Sequence, residues 1–414
     1  MNILLTNGFL LLIGYSAGWL LDKVGLPRVI GYIAVSILFS PNTLSFITPG
    51  VIQATDPLME VCLAFIAFEV GGSLKWGKIK KHEKEIVYIT LLASLFPFVF
   101  ISAGIYLFFL LFPSVLPFDP LSVLLLALSL GALASPTAPA GILAVMHQFK
   151  ARGKVTDTIM EVVALDDALG IILFSLTMVI FSLFSGDGGG MIIHEIFLAL
   201  YQICGAIFLG IGMTVSMNYF VHFFKIEGEG QWIVLIVAFI TLCVGITKLI
   251  QVDELMACMA MGVMMVNKSD QHKTVFKIVE RYTEDLIFLL FFLLSGLHLN
   301  IATLTQAFYL VTIFVILRTI GKFTGASVGA RMAKADRKIR RYTAGGLLPQ
   351  AGVVIGLVLN IRAKAEYQAI AEVLMTTIVG AVIIHELVGP VAAKYALKKA
   401  GELRLGNRRN KSGD

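Results

Sequence analysis

Charged residues are scarce in this chain. Only 14% of its 414 residues carry a charged side chain, whereas soluble domains have about 25%. The sequence also lacks a CxxC pair or any cluster of cysteine and histidine, and its four cysteines lie singly within apolar segments. These absences argue against a soluble globular domain, a disulfide scaffold and a zinc site.

Long apolar runs are abundant instead. Hydrophobic residues make up 57% of the chain, and the mean hydropathy is +0.87. Apolar runs of about 20 residues, each long enough to cross roughly 30 Å of hydrocarbon, recur along the whole sequence. The sequence therefore predicts an all-α, polytopic membrane protein, with no sign of an enzyme or a cofactor. We expect 13 transmembrane helices, at residues 3–22, 27–39, 56–74, 86–112, 119–146, 155–184, 193–222, 231–249, 254–267, 284–300, 305–330, 342–361 and 367–395.

The basic residues are unevenly divided between the two sides of the predicted membrane. If the N-terminus lies outside, nearly all lysines and arginines fall in inside loops or in the C-terminal tail, and the outside receives only Lys248, Arg362 and Lys364. Cytoplasmic loops are enriched in these residues. The pattern predicts an outside N-terminus and a cytoplasmic C-terminus, most simply in a bacterial inner membrane. The net charge of +6 then reflects topology rather than nucleic-acid binding.

Two pairs of segments indicate an internal repeat. "FEVGGSL" (68–74) resembles "LLSGLHL" (293–299), and each ends the third span of its half. "ASPTAPAG" (134–141) and "LLPQAGVV" (347–354) both place proline and glycine inside an apolar span. Matched interruptions of this kind are typical of secondary transporters, whose sites lie where the broken helices meet.

The predicted spans and the internal repeat together define the expected domain organisation. Residues 1–414 form one membrane transporter domain, with a first six-helix repeat at 1–184 and a second at 231–395. The two repeats start on opposite sides of the membrane, so their topologies are inverted, and crossed discontinuous helices are expected between them. A linking helix at 193–222 joins them, and 396–414 is a short cytoplasmic tail. We expect no soluble regulatory domain in the chain.

Adjacent aspartates, Asp166 and Asp167, lie in the middle of an apolar span. Each costs about 2.5–3.5 kcal/mol at the bilayer centre. Neighbouring side chains point about 100° apart around a helix, so one carboxylate can line an aqueous cavity while the other pairs with a cation. Lys322 lies near mid-span and is the expected partner, and Arg318, four residues earlier on the same face, is a second, more structural charge.

The two interruptions supply neutral oxygens. A helix broken by proline exposes main-chain carbonyls, which can coordinate a cation beside the charged Asp167. Hard monovalent cations prefer oxygen ligands. We therefore expect Asp167 to bind the cation or the proton, with the discontinuous-helix residues nearby: Ser135, Pro136, Thr137 and Ala138 in the first break, and Pro349 and Gln350 in the second.

Glu69, Glu161, His385 and Glu386 are further ionisable residues within predicted spans. Glu161 is expected in an access funnel or at a solvated helix end, and Glu69 is expected either to snorkel to the interface or to have a helix-end role. For His385 and Glu386 we expect interhelical packing, and the sequence assigns them no role in transport.

The chain resembles the sodium/hydrogen exchanger superfamily, in its cation:proton antiporter-2 branch. Seven stretches carry the resemblance, in family order: "VGLPRVIGYIAVSILFSP", "FEVGGSLKW", "ASPTAPAGILAV", "VALDDALGIILF", "FFLLSGLHLN", "GKFTGASVGARM" and "HELVGPVAAKYAL". The resemblance implies a core domain, containing the crossed discontinuous helices, that moves against a dimerisation domain in a homodimer. It further implies that Asp167 binds the ion or protons and that Asp166 pairs with Lys322. An Asp-Asp pair implies electrogenic exchange.

The expected function is exchange of a monovalent cation for protons by alternating access, as in pH homeostasis. Na⁺ is the leading substrate and K⁺ the alternative. The two breaks, "SPTAPA" and "LPQAG", are not the commonest forms associated with either cation, so they leave the choice between the two open. A non-transporting ion sensor on the same fold is a third possibility. The acidic site disfavours a carrier for organic anions. The expected partners are cations, protons, lipid and a second copy of the chain.

Overall fold

The computed structural model is helical and describes most of the chain. It covers residues 3–40, 49–112, 118–185, 190–226, 228–282, 286–297, 307–350, 354, 358 and 368–403. The described residues form fifteen helices. They are α1 (Ile3–Lys23), α2 (Arg28–Phe39), α3 (Pro49–Ser73), α4 (Trp76–Leu111), α5 (Pro120–Leu133), α6 (Pro139–Gln148), α7 (Lys154–Ser185), α8 (Gly190–Phe224), α9 (Glu229–Ile250), α10 (Glu254–Lys268), α11 (His272–Tyr282), α12 (Phe288–Leu297), α13 (Phe308–Met332), α14 (Arg337–Gly346) and α15 (Gln368–Ala400).

Each expected span overlaps at least one of these helices, but their bounds differ. The predicted span 119–146 is two helices, α5 and α6. The helix that overlaps the predicted span 342–361 is α14, which begins five residues before that span, at Arg337. Residues 396–400, expected in the tail, belong to α15. Among the described residues, five helical segments are long and apolar enough to cross a membrane: His82–Leu111, Leu200–Phe224, Glu229–Ile250, Phe308–Met332 and Ile370–Ala400. Three shorter apolar helices are α2, α5 and α12.

The helices pack in two groups. The first group contains α1–α3 and α8–α12, in which α10 packs against α3, α8 and α9, and α12 packs against α2 and α3. The second group contains α4–α7 and α13–α15, in which α4 packs against α5, α7 and α13, and α15 packs against α6 and α14. The contacts between the groups are fewer and involve mainly α6, α7 and α15 on one side and α2 and α3 on the other, besides the consecutive pair α7 and α8.

A glycine stripe brings α13 close to α4 in the second group. Gly321, Gly325 and Gly329 recur every fourth residue, so they share one face of α13. A Cβ at Gly325 would lie 2.1 Å from the main-chain oxygen of Leu92 on α4. Small residues at this spacing let the backbones of membrane helices approach closely. The stripe therefore fixes α13, which carries Arg318 and Lys322, against a long neighbour.

The start of α5 is fixed by a side-chain cap. Asp119 accepts hydrogen bonds from the backbone N–H groups of Leu121 and Ser122, at 3.1 and 3.0 Å, and Pro120 occupies the first helical position. These donors satisfy helix N–H groups that have no partner within the helix. The Ser122 hydroxyl and backbone, which donate to this exposed carboxylate, hold the pKa of Asp119 below its ordinary value.

Candidate ion-binding site

The first break lies between α5 and α6. Helix α5 ends at Leu133 and α6 begins at Pro139, so residues 134–138 lie outside both helices. Proline lacks an N–H group, and this interruption leaves the carbonyls near Pro136 without helical partners. Gly170 of α7 accommodates the proline ring, because a Cβ there would lie 2.5 Å from Cγ of Pro136. The expected interruption of this span is confirmed.

The second break follows α14 and touches the first. Helix α14 ends at Gly346, and 347–350 are not helical, whereas 351–353 lie outside the described residues. The Ala138 N–H donates to the Pro349 carbonyl at 3.0 Å. Gly389 of α15 admits Pro349, since a Cβ there would lie 2.8 Å from the Pro349 nitrogen. The described parts of the two breaks therefore meet at one place.

Arg318 joins the two breaks through its guanidinium group. It donates to the carbonyls of Ala134 and Pro136 at 3.0 and 2.9 Å in the first break. It also donates to the carbonyls of Leu348 and Pro349 at 2.6 and 3.4 Å in the second. The side chain is completely buried. Arg318 was expected as a charge-pairing residue, but all of these hydrogen bonds go to main-chain carbonyls, because the fork of five N–H groups matches acceptors that the breaks expose.

Lys322 and Asp166 form the expected contact. The Lys322 Nζ lies 3.1 Å from Asp166 Oδ2, and both side chains are completely buried. The same ammonium group donates to the Ser135 carbonyl at 2.5 Å and to the Thr137 hydroxyl oxygen at 2.9 Å. Thr137 in turn donates its hydroxyl to Asp166 Oδ2 at 2.5 Å. The Thr137 main-chain N–H also donates to Asp166 Oδ1 at 3.4 Å. Asp166 is thus held by one charged donor from α13 and two neutral donors of Thr137 in the first break.

Asp167 lies beside this network but takes no part in its hydrogen bonds. Thr137 was expected near Asp167, and the structure places its hydroxyl on Asp166 instead. Asp167 is 2% exposed, and its Oδ1 is a buried atom that accepts no hydrogen bond from the described residues. The Ser135 hydroxyl oxygen is likewise buried without a partner in the described part of the chain. Each leaves a polar atom for which a ligand could supply the missing interaction.

Gln350 connects the breaks to α15 through His385. The Gln350 amide donates to the Leu133 carbonyl at the end of α5, at 3.0 Å. The Gln350 Oε1 lies 2.9 Å from His385 Nδ1, in a fully buried contact. An amide that donates through nitrogen presents its oxygen to the ring, so His385 is the donor in this contact. His385 was expected only to pack between helices. The structure shows in addition that it contacts the second break through Gln350.

The remaining sequence-predicted acidic residues are all buried. Glu161 is 5% exposed, which excludes a solvated helix end in this conformation. Glu69 is 8% exposed, and its Oε1 lies 2.7 Å from His147 Nε2, so it does not snorkel to the interface. It does lie near the end of α3, as the helix-end alternative expected. Glu386 is 6% exposed, and its Oε2 has no hydrogen-bond partner among the described residues.

The occupied carbonyls change the expected ligand set. We expected the carbonyls freed at the breaks to coordinate a cation, but five of them bind Arg318, Lys322 or the Ala138 N–H in this conformation. Asp167 and Ser135 remain as buried oxygens with unused acceptor capacity. The arrangement can therefore accept one proton or one small cation at Asp167, next to a resident ion pair that offsets the second carboxylate.

Comparison with known proteins decides the family. The family model described as "Sodium/hydrogen exchanger, transmembrane" matches residues 8–399, which is nearly the whole chain. The chain belongs to the sodium/hydrogen exchanger family. The family and its fold are those of transporters rather than enzymes, as the sequence predicted.

The chain is also similar to one curated protein and to one solved structure. Cation/H(+) antiporter 19 of Arabidopsis thaliana is 23% identical over an alignment of 361 residues that covers 81% of this chain and 42% of the relative. The chain thus spans less than half the length of that curated relative. The solved structure of the sodium proton antiporter MjNhaP1 from Methanocaldococcus jannaschii at pH 8 matches with a TM-score of 0.71 at 17% identity, covering 96% of this chain and 98% of that one. The second match shows a shared helical fold.

Proposed function

We propose that this chain exchanges a monovalent cation for protons across a membrane, with Na⁺ as the favoured cation and K⁺ as the alternative. Asp167 is the group that binds either the cation or the proton. Ser135 and Thr137 contribute oxygens or position them, and Asp166 is kept ionised by Lys322. The family match and the helical fold support exchange as the activity, and the choice between the two cations belongs to the proposal alone.

One observation carries the assignment of Asp167. Its carboxylate is buried in an apolar span, yet Oδ1 accepts no hydrogen bond from the described residues, while the adjacent Asp166 is fully partnered. An ionised carboxylate in that position is costly unless a proton or a cation neutralises it. Because the two ligands neutralise the same oxygens, they exclude each other. Competition at a single site that opens alternately to the two sides is sufficient for exchange.

The architecture of the transporter is part of the same proposal. The chain would cross the membrane 13 times in two inverted six-helix repeats, at 1–184 and 231–395, with a linking helix at 193–222. The N-terminus would lie outside and the end of α15, with the tail that follows it, in the cytoplasm of a bacterial cell. The second helix group, which contains both breaks, would move against the first group, and the first group would form a homodimer interface.

A flux measurement on reconstituted protein tests the role of Asp167. In proteoliposomes with an internal pH dye, an inward gradient of Na⁺, Li⁺ or K⁺ is applied in turn, with and without a clamped membrane potential. We expect cation-driven proton flux in the parent protein and none above empty liposomes in Asp167→Asn, because the amide keeps the volume and removes the titrating charge. Asp157→Asn makes the same chemical change at an exposed position of the same helix and should leave the flux intact.

The outcomes separate the alternatives. Substantial flux in Asp167→Asn would remove this residue from the site. A parent protein that binds cations but drives no proton flux with any of the three would instead be a sensor built on the same fold. The order of rates among the three cations identifies the preferred substrate.

A further inference from the structure

The last turn of α6 is fastened to the first helix group. Helix α6 has ten residues, from Pro139 to Gln148, and so spans about 15 Å from the first break to its far end. It belongs to the second helix group, and its last two residues are His147 and Gln148. Both of these polar side chains contact the other group.

His147 contacts α3 and α12. Its Nε2 lies 2.7 Å from Glu69 Oε1, and the two side chains are only 11% and 10% exposed. The ring of Phe288 meets the imidazole edge-on, with 5.7 Å between the ring centroids. The imidazole is therefore held by a buried acidic partner and by an aromatic ring, both contributed by the first group.

The side-chain amide of Gln148 hydrogen-bonds to the turn between α1 and α2 and to the residues that flank it. The Nε2 group donates to Asp22 Oδ1 at 3.0 Å and to the Leu26 carbonyl at 3.2 Å, while Oε1 accepts from the Arg28 N–H at 2.8 Å. Both donors of the amide are occupied, and so is its acceptor oxygen. A side chain with every hydrogen bond directed to one short turn fixes the position of α6 relative to that turn.

We propose that His147 and Gln148, together with Glu69 and Asp22, form a latch that closes one of the two access routes to the ion site. This inference rests on the proposed exchange function, because a latch is useful only if access alternates. The site and α6 are in the same helix group and are joined through Thr137 and Ala138, so a movement of that group that carries the last turn of α6 away from α3 and from the α1–α2 turn would break the latch contacts. Individual hydrogen bonds are modest in net free energy, so such a set holds a conformation reversibly.

The position of the latch determines which route it closes. Lys23 and Arg28 flank the turn that Gln148 contacts, and Lys150 and Arg152 follow α6. In the proposed orientation these residues face the cytoplasm. The latch would therefore close the cytoplasmic route in this conformation and open once per transport cycle.

A reversible cross-link tests the latch. In a background with the four cysteines replaced by alanine, Glu69→Cys and His147→Cys are combined and joined with a short bis-methanethiosulfonate reagent. A linker is needed because long side chains meet at their tips, which places the main chains too far apart for a direct disulfide. We expect cross-linking to reduce cation-driven proton flux at least about tenfold, as expected for blocking a required conformational step, and reductant to restore it.

A matched pair within one group provides the control. Ser269 donates its hydroxyl to the Asn218 side chain at 2.7 Å, and both residues belong to the first group. Cross-linking Asn218→Cys to Ser269→Cys should leave the flux unchanged. Undiminished flux in the fully cross-linked 69–147 pair would overturn the latch, and so would an equal loss of flux in the control pair.

Amide hydrogen exchange tests the contacts without requiring transport. Gln148→Ala and Glu69→Ala should speed exchange in the last turn of α6 about tenfold by favouring local opening, whereas Asn218→Ala should not. Unchanged exchange in both latch variants would overturn the proposal. If the parent protein shows no flux with any cation, the proposed function fails, and the exchange measurement still decides whether these contacts hold α6.

Discussion

Replacing Lys322 by methionine removes a buried ammonium group while keeping the length of its stem. In the parent protein this group donates to the Ser135 carbonyl, the Thr137 hydroxyl and Asp166. The variant leaves Asp166 with Thr137 as its remaining partner and leaves the Ser135 carbonyl without its donor. We therefore expect a large loss of stability, with correctly inserted protein still formed.

The burial of the pair sets the magnitude. Both side chains are completely buried, and breaking a buried ion pair by removing one partner typically costs about 3–5 kcal/mol. Lys248 provides the comparison, because its ion pair with Glu60 lies at the surface, where the two side chains are 51% and 31% exposed. Exposed pairs of this kind contribute about 0–1 kcal/mol, so Lys248→Met should have a small effect.

A double-mutant cycle measures the interaction itself. Lys322→Met, Asp166→Asn and the double variant are unfolded in mixed detergent micelles, and the free energies of unfolding are compared. The double variant should be more stable than the sum of the single effects predicts, by about 1–3 kcal/mol, because it leaves no unpaired charge. If the two changes add within about 0.5 kcal/mol, the contact contributes no coupling and the reasoning fails.

Three other substitutions follow from the packing. Arg318→Lys should destabilise the protein by about 2 kcal/mol and stop exchange, because a point-like ammonium cannot satisfy carbonyls in both breaks, whereas Arg331→Lys at an exposed position should be neutral in the same unfolding and flux assays. Gly389→Ala should cost about 1–3 kcal/mol through overpacking against the second break, measured by thermal unfolding, whereas Gly212→Ala, where a Cβ meets nothing within 4 Å, should be neutral or stabilising. Asp119→Ala should cost about 1 kcal/mol by removing a cap. Since the folded pKa of Asp119 lies below its ordinary value, this contribution should be complete above the unfolded pKa and disappear as the pH falls through the folded pKa, and a pH series of unfolding that shows no such loss would contradict the cap.

The residues of the ion site could be predicted from the sequence because they interrupt apolar runs. Two adjacent carboxylates, a mid-span lysine and two prolines are conspicuous in otherwise apolar segments. The structure brings Asp166, Lys322 and both breaks together. Helix ends were harder to place. Helix α4 begins at Trp76, ten residues before the predicted span, and a kink at His82 separates its polar first part from the rest. Hydropathy marks only the part of a helix that crosses lipid, so it did not find this polar part.

The partners of individual side chains could not be predicted in the same way. Arg318 binds main-chain carbonyls, which every sequence contains and no motif marks. The hydroxyl of Thr137 binds Asp166 rather than Asp167, a choice set by the rotation of α7 about its axis. The contact between His147 and Glu69 depends on where two helix ends meet, which is a consequence of packing across the chain.

Two acidic and two basic residues lie where the two breaks meet. This balance of charge has a consequence for the net charge that transport moves across the membrane. The net charge of the site is zero when all four side chains, Asp166, Asp167, Lys322 and Arg318, are ionised. Binding of one monovalent cation or of one proton therefore gives the site the same net charge of plus one. A cycle that trades one cation for one proton at Asp167 therefore moves no net charge across the membrane. An electrogenic cycle needs a second titrating group, and the lysine–aspartate pair that joins α13 to α7 is where the structure offers one.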